Sequence, residues 1–357
     1  MYFNKFVSNT LAGSSNQHFF ISDGKTQKGR VFYKVFEKGQ YNYSFLFTNT
    51  IDSTYGDGSI SHKNLVCERF LIEQLRVASC DRIDNNIPEN EFKTVTFSGE
   101  KTKVVNEAEI FSTDPILISP KEYICLEITF KGNMIPYHEE IIVSTFLEDE
   151  GKWVLNRKMP VPAMVGCDRK AEKRIGFLGD SITQGCGTPL DSYSHWNAVL
   201  AEKLGNKYSY WNLGIGYGRA SDASTDGTWL NKAKNNDIVF VCFGVNDILH
   251  GGNGAEQICA DINTIVEKLK EAGVAVILQT VPPFDYKKED IEKWQRINQY
   301  IKTELIKKVD FVFDNNPVLR KNEKEPHMAM YGGHPNSEGC KKWAEAFYNE
   351  LIKNEVF

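Results

Sequence analysis

The sequence predicts two domains, an amino-terminal all-β sandwich of jelly-roll-like type and a following α/β domain built on a parallel sheet. Three observations carry this. Before about residue 160 the apolar residues alternate or cluster in short runs; beyond it, apolar runs alternate with longer amphipathic stretches; and Lys158-Met-Pro-Val-Pro-Ala-Met-Val-Gly166, with two prolines and a glycine, breaks any regular pattern between them. The domains are therefore drawn at 1–160 and 161–357. A chain of 357 residues, 41% hydrophobic and 25% charged, is globular and long for one domain.

In the first half, Tyr43-Ser-Phe-Leu-Phe47, Lys93-Thr-Val-Thr-Phe97, Ile124-Cys-Leu-Glu-Ile-Thr-Phe130 and Ile141-Ile-Val-Ser-Thr-Phe146 are separated by Gly, Asn and Asp clusters. They read as antiparallel strands of a sandwich. Residues 65–80 fit a strand or a helix, and their strand neighbours favour a strand. In the second half, Arg174-Ile-Gly-Phe-Leu-Gly179, Ile238-Val-Phe-Val-Cys-Phe243, Val274-Ala-Val-Ile-Leu278 and Phe311-Val-Phe313 read as buried strands. Between them Ile258, Ile262, Ile265, Val266 and Leu269 recur at helical spacing, and 289–308 and 336–353 read as further helices. Strand and helix in alternation give a doubly wound parallel sheet.

Charge and cysteine usage exclude several classes. A formal net charge of -5, with lysines scattered among acids, offers no footprint for nucleic acid. The first ten residues lack a basic segment followed by an apolar core, and no stretch is long enough to span a bilayer, so a cytoplasmic protein without a membrane partner is expected. The eight cysteines form no CxxC pair, and neither disulfides nor structural zinc is expected.

The chemistry gathers at element ends. Gly179-Asp180-Ser181 presents a hydroxyl where a strand stops, at the carboxyl edge that open α/β sheets use for catalysis. Phe243-Gly-Val-Asn-Asp247 places Asn246 at the end of another apolar run, and Gly332-Gly-His-Pro-Asn336 places His334 before a helix. A serine hydroxyl needs a base within reach and donors aimed at the oxyanion it creates. His334 suits the first task. The Ser181 N–H, a glycine N–H in Asn212-Leu-Gly-Ile-Gly-Tyr-Gly218 and the Asn246 amide are candidates for the second.

These four segments, in this order, resemble the SGNH hydrolases, or GDSL family of esterases and lipases, over roughly the second half of the chain. The resemblance implies a flavodoxin-like three-layer α/β/α domain, with Ser181 as nucleophile and His334 as base. Asn246 and a turn glycine, Gly216 in preference to Gly218, would be the oxyanion donors. The family's usual aspartate three residues before the histidine is Tyr331 here, which implies a serine-histidine dyad, with Asp314 as the alternative acid. The stretch from Val95-Thr-Phe-Ser-Gly99 through Ser112-Thr-Asp-Pro-Ile-Leu-Ile118 resembles the β-rich extension of some members. The implied activity is hydrolysis of a short acyl ester, O-acetyl on carbohydrate first, with a small-molecule or oligosaccharide ester as partner and no metal or organic cofactor. A lysophospholipase or thioesterase, and a catalytically weakened carbohydrate-binding relative, are the alternatives. The oligomeric state stays open.

Three nearby features invite other readings. Cys186 has no activating cation in sequence and reads as a buried thiol. His250 reads as a solvated loop residue. Tyr193, Trp196, Tyr217 and Trp229 flank the motif loops and fit either a sugar platform or core.

Overall fold

The structure is a computed structural model that describes residues 1–13, 15–52 and 65–356. Period-two patterning puts alternate residues of a strand on one face. Tyr33 and Val31 of Gln27–Lys34 lie opposite Ile124 and Leu126 of Tyr123–Gly132, and Leu126 lies opposite Val77 of Phe70–Cys80. All five share one apolar core. On the other face of the same three strands, Arg30, Glu127 and Arg76 align in register. Both guanidinium groups hold the buried Glu127 carboxylate, Arg30 at 2.7 Å.

Two antiparallel sheets enclose that core. One runs Lys152–Leu155, Thr145–Asp149, Gln27–Lys34, Tyr123–Gly132, Phe70–Cys80 and Lys93–Val95, with Lys103–Val105 also on Phe70–Cys80. The other runs Val7–Ser8, Met164–Cys167, Tyr41–Thr48 and Ile110–Ser112, with Ile116–Ile118 also on Tyr41–Thr48. Two expectations change. The run from Ile141 becomes a strand only at Thr145; Ile141 and Val143 enter the core from irregular chain, so burial of that apolar run is achieved without ladder pairing. Met164–Cys167 pairs with Tyr41–Thr48 and Val7–Ser8, so it completes the first half's sheet and does not open the second half. We therefore place the passage between the halves at 168–173.

The second half holds a five-stranded parallel sheet in the order Ser209–Asn212, Arg174–Gly179, Ile238–Cys242, Ala275–Gln279, Phe311–Phe313. By chain order this is 2-1-3-4-5. The amphipathic helices Ala255–Glu271, Lys288–Thr303 and Ser337–Lys353 connect and close it. Trp196 and Trp343 stack at 5.0 Å beside Phe347, all fully buried, and Trp229 is buried at 1% exposure. Each such burial contributes on the order of 2 to 3 kcal/mol. Trp196 and Trp229 are thus core, and of the four flanking aromatics they offer no platform.

The halves are tied by polar contacts. Lys232 pairs with Asp52 at 2.5 Å, both buried, while the Thr228 hydroxyl donates to the same carboxylate. Arg169 bridges Glu37 to the carbonyls of Asn206 and Tyr208. The Asn212 N–H donates to the Thr10 carbonyl, and its side-chain amide to that of Leu11. Among the described residues no helix is long and apolar enough to cross a membrane.

Candidate active site

Ser181 begins a four-residue helix, Ser181–Gln184, directly beyond the strand Arg174–Gly179. Asp180 caps that helix, its Oδ1 accepting from the Ile182 N–H at 2.9 Å. The cap turns the chain sharply and leaves the Ser181 hydroxyl at the sheet's carboxyl edge. The Ser181 N–H, in the first turn, has no acceptor four residues back within the helix. Burial, with Asp247 as a neighbour, pushes the Asp180 carboxyl up to about 7.

His334 reaches the same point from the opposite end of the domain's sequence. Its Nε2 lies 2.7 Å from the Ser181 Oγ. The ring stands at the mouth of the site, with Phe284 edge-on at 5.3 Å. Behind it, Asn336 caps the helix Ser337–Lys353 by accepting from the Gly339 N–H at 3.0 Å. Partial desolvation of the ring lowers its pKa from the ordinary histidine value, with no opposing carboxylate.

The residues weighed as a third member lie elsewhere. Asp314 accepts from the Thr280 hydroxyl at 3.0 Å and the Asn316 N–H at 3.2 Å, and faces Lys302. Tyr331 packs its Cβ over Gly339 and its ring beneath Lys342. Among the described residues, no carboxylate is bonded to His334.

Asn246 lies on the short helix Val245–Leu249 after the strand Ile238–Cys242 and is buried. Its Nδ2 donates to the Gly218 carbonyl at 3.2 Å, which uses one of two amide protons and leaves the other for a ligand. Asp247 beside it accepts from the Ala220 N–H at 2.9 Å, and burial pushes its carboxyl up to about 7. Asn246 ties this helix to the turn at 214–218, and Asp247 ties it to the chain just beyond, at Ala220. Within that turn the Gly218 N–H donates to the Ile215 carbonyl at 3.1 Å, and Tyr217 takes a φ of 58°. Tyr217 is half-buried, its ring centroid 6.3 Å from that of the exposed His250. Burial raises the Cys186 thiol, which keeps it protonated and a poor nucleophile.

Two residues that sequence reasoning missed also meet this turn, both from the first half of the chain. A Cβ on Gly216 would lie 1.5 Å from the Glu140 Oε2 and 2.6 Å from the Gln17 Nε2. Gln17 is fully buried and donates to the Gly216 carbonyl at 3.3 Å. No local pattern marks either one, because their role arises only when the two halves dock.

Comparison with known proteins follows the same geography. Residues 177–342, which contain all four motif segments, match the family described as GDSL-like Lipase/Acylhydrolase. No curated protein matches the chain. Among solved structures, a family two carbohydrate esterase from Clostridium thermocellum in complex with cellohexaose is similar at 14% identity, covering 98% of this chain and 99% of its own, with a TM-score of 0.42. The psychrotrophic esterase EstA from Pseudoalteromonas sp. is similar at 17% identity over 52% of this chain and 99% of its own, with a TM-score of 0.42. A carbohydrate esterase family 3 protein from Talaromyces cellulolyticus gives 19% identity over 50% and 96%, with a TM-score of 0.38.

Proposed function

Carrying a GDSL-like lipase/acylhydrolase domain at residues 177–342, the chain is a hydrolase of ester bonds, and we propose that it works through a serine acyl-enzyme on short acyl esters, O-acetyl groups of carbohydrate first. The observation that carries this is the 2.7 Å contact between the Ser181 Oγ and the His334 Nε2. In the proposed cycle, Nε2 takes the hydroxyl proton as Oγ bonds to the ester carbonyl carbon. The resulting oxyanion is held by the Asn246 amide, the Ser181 N–H and a backbone N–H of the 214–218 turn. Collapse expels the alcohol, which receives the proton from Nε2. Water then attacks the acyl group with His334 again as base, and Ser181 is restored.

A serine-histidine dyad fits the surroundings of His334, and the polar groups of Glu140, Tyr217 and His250 about the site suit a sugar-bearing ester better than a long acyl chain. The 2-1-3-4-5 strand order supports the flavodoxin-like reading, and the paired antiparallel sheets support the jelly-roll-like one. A second reading, a binding protein with weakened turnover, is favoured by the lack of a carboxylate on His334.

The test is direct. Ser181→Ala should abolish hydrolysis of p-nitrophenyl acetate with the fold intact, and a fluorophosphonate should label wild-type Ser181. Full turnover in the variant refutes the nucleophile; absence of labelling favours the binding protein. Chain-length profiling of acyl substrates separates the short-chain esterase from a lysophospholipase or thioesterase.

A further inference from the structure

We infer that the amino-terminal half takes part in catalysis: Gln17, held by Glu140, fixes the Gly216–Tyr217 peptide so that the Tyr217 N–H serves as the turn's oxyanion donor. This rests on the serine-hydrolase reading above and assigns that donor to residue 217 in place of Gly216. Gln17 and Glu140 are positioning residues, since neither touches the reacting atoms.

The argument begins with the turn. The bond from the Gly218 N–H to the Ile215 carbonyl leaves Gly216 and Tyr217 at the two central positions. The positive φ of Tyr217 marks the form in which the third residue is left-handed, a position that favours Gly or Asn. The commoner form differs mainly by a rotation of the central peptide through about half a turn. A tyrosine left to its local preference would choose that commoner form, because the left-handed region costs a β-carbon-bearing residue about 1 to 2 kcal/mol. Something outside the turn must hold the peptide as found.

Gln17 is placed to do so. Its Oε1 accepts from the Glu140 N–H at 3.1 Å, which fixes the orientation of the amide and turns Nε2 to the other side. Nε2 then donates to the Gly216 carbonyl at 3.3 Å and to the Glu140 Oε2 at 3.2 Å. The peptide unit is planar and trans, so the Tyr217 N–H points opposite to the Gly216 carbonyl. With the carbonyl anchored on the amino-terminal half, the N–H is directed away from that half, to the side on which the proposed oxyanion forms. Rotation would break the Gln17 bond and aim a carbonyl oxygen where the oxyanion forms.

Glu140 locks the other degree of freedom. Its carboxylate occupies the space of a Gly216 β-carbon, and its own backbone carbonyl accepts from the side chain of Gln184, on the helix that starts with Ser181. One contact set thus spans the nucleophile's helix, the oxyanion turn and the first half of the chain. Burying a glutamine amide beside a half-buried carboxylate at a domain contact is costly where apolar packing would serve. Positioning of a polar peptide accounts for that cost.

The experiment uses the full chain with Gln17→Met and Gln17→Leu, both apolar and of similar size to glutamine. Neither can donate to the Gly216 carbonyl, and circular dichroism reports their fold. With p-nitrophenyl acetate, kcat should fall by about 10- to 100-fold with KM changed less than about threefold, a fraction of the loss typical of an oxyanion donor. The inhibition constant of a short alkylboronic acid, whose serine adduct carries the same oxygen, should rise by the same factor. A folded variant that keeps kcat within about twofold overturns the inference, as does a loss of kcat that boronate binding does not follow. If Ser181→Ala is inactive while both Gln17 variants keep full kcat, this inference fails and the serine mechanism stands.

Discussion

The titrating group in the proposed mechanism is one imidazole, and its surroundings set where it titrates. His334 must be neutral to accept the serine proton, and its ordinary pKa is about 6.5. Partial desolvation lowers it, and no carboxylate opposes the shift. The neutral form therefore persists to lower pH than in a free histidine. The profile of kcat/KM should show its acidic limb below about 6.5, with activity rising as pH climbs through it and flat near neutrality. A limb at or above that value would mean that an anion holds the imidazolium, and would bring a third residue back. The placement of Ser181, Asn246 and His334 at element ends was legible in sequence because each lies within a recognisable segment where an apolar run stops or a helix starts. The fate of Tyr331 was not. Its ring lies on the helix Ser337–Lys353, a contact set by tertiary packing and not by the spacing of three residues from His334.

The elements act as arms that bring loop residues to one edge of a sheet. Periodicity announced the long ones: Ile258 to Leu269 lie in Ala255–Glu271, and the helix expected at 336–353 starts at Ser337 with Asn336 as its cap. It was silent about Ser181–Gln184 and Val245–Leu249, which are too short to show a repeat and are held by caps and by neighbours. The loops themselves are tightly specified. Gly187 has a φ of 97°, and a β-carbon there would sit 2.7 Å from the His334 carbonyl oxygen and 2.9 Å from its Cβ. Gly187→Ala should push the histidine loop off the serine. A displacement of about 1 Å can cost on the order of 100-fold, so kcat/KM should fall by about that factor while the circular dichroism spectrum is unchanged. Normal turnover in Gly187→Ala would show that the His334 loop yields without consequence.

At the scale of the whole molecule, the two halves share polar contacts that separate domains would not need. Lys232 and Asp52 are 5% and 0% exposed at their side chains and lie 2.5 Å from each other. Removing one partner strands a buried charge, so Lys232→Met should destabilise the protein by about 3 to 5 kcal/mol in chemical denaturation. Lys232→Met combined with Asp52→Leu should recover most of that loss, since an apolar pair needs no compensation. Equal destabilisation by the single and double variants would show that this contact is not what the fold depends on. The sequence showed where the pattern of the chain changes near residue 160, and that was enough to separate a β half from an α/β half. It could not show Met164–Cys167 pairing into the first half's sheet, or Gln17 and Glu140 meeting the 214–218 turn, because contacts between segments distant in the chain leave no period.

The bonds from Asn212 to the carbonyls of Thr10 and Leu11 bear on how the chain is made. A ribosome must add about two hundred residues after Leu11 before its partner exists, the separation being 201 positions. Throughout that interval the newborn sandwich carries a bare seam. Its sheet also lacks Met164–Cys167 until nearly half of the chain has been made. Cutting the gene at codon 160 would make that unfinished seam permanent, so neither fragment should be as soluble as the whole.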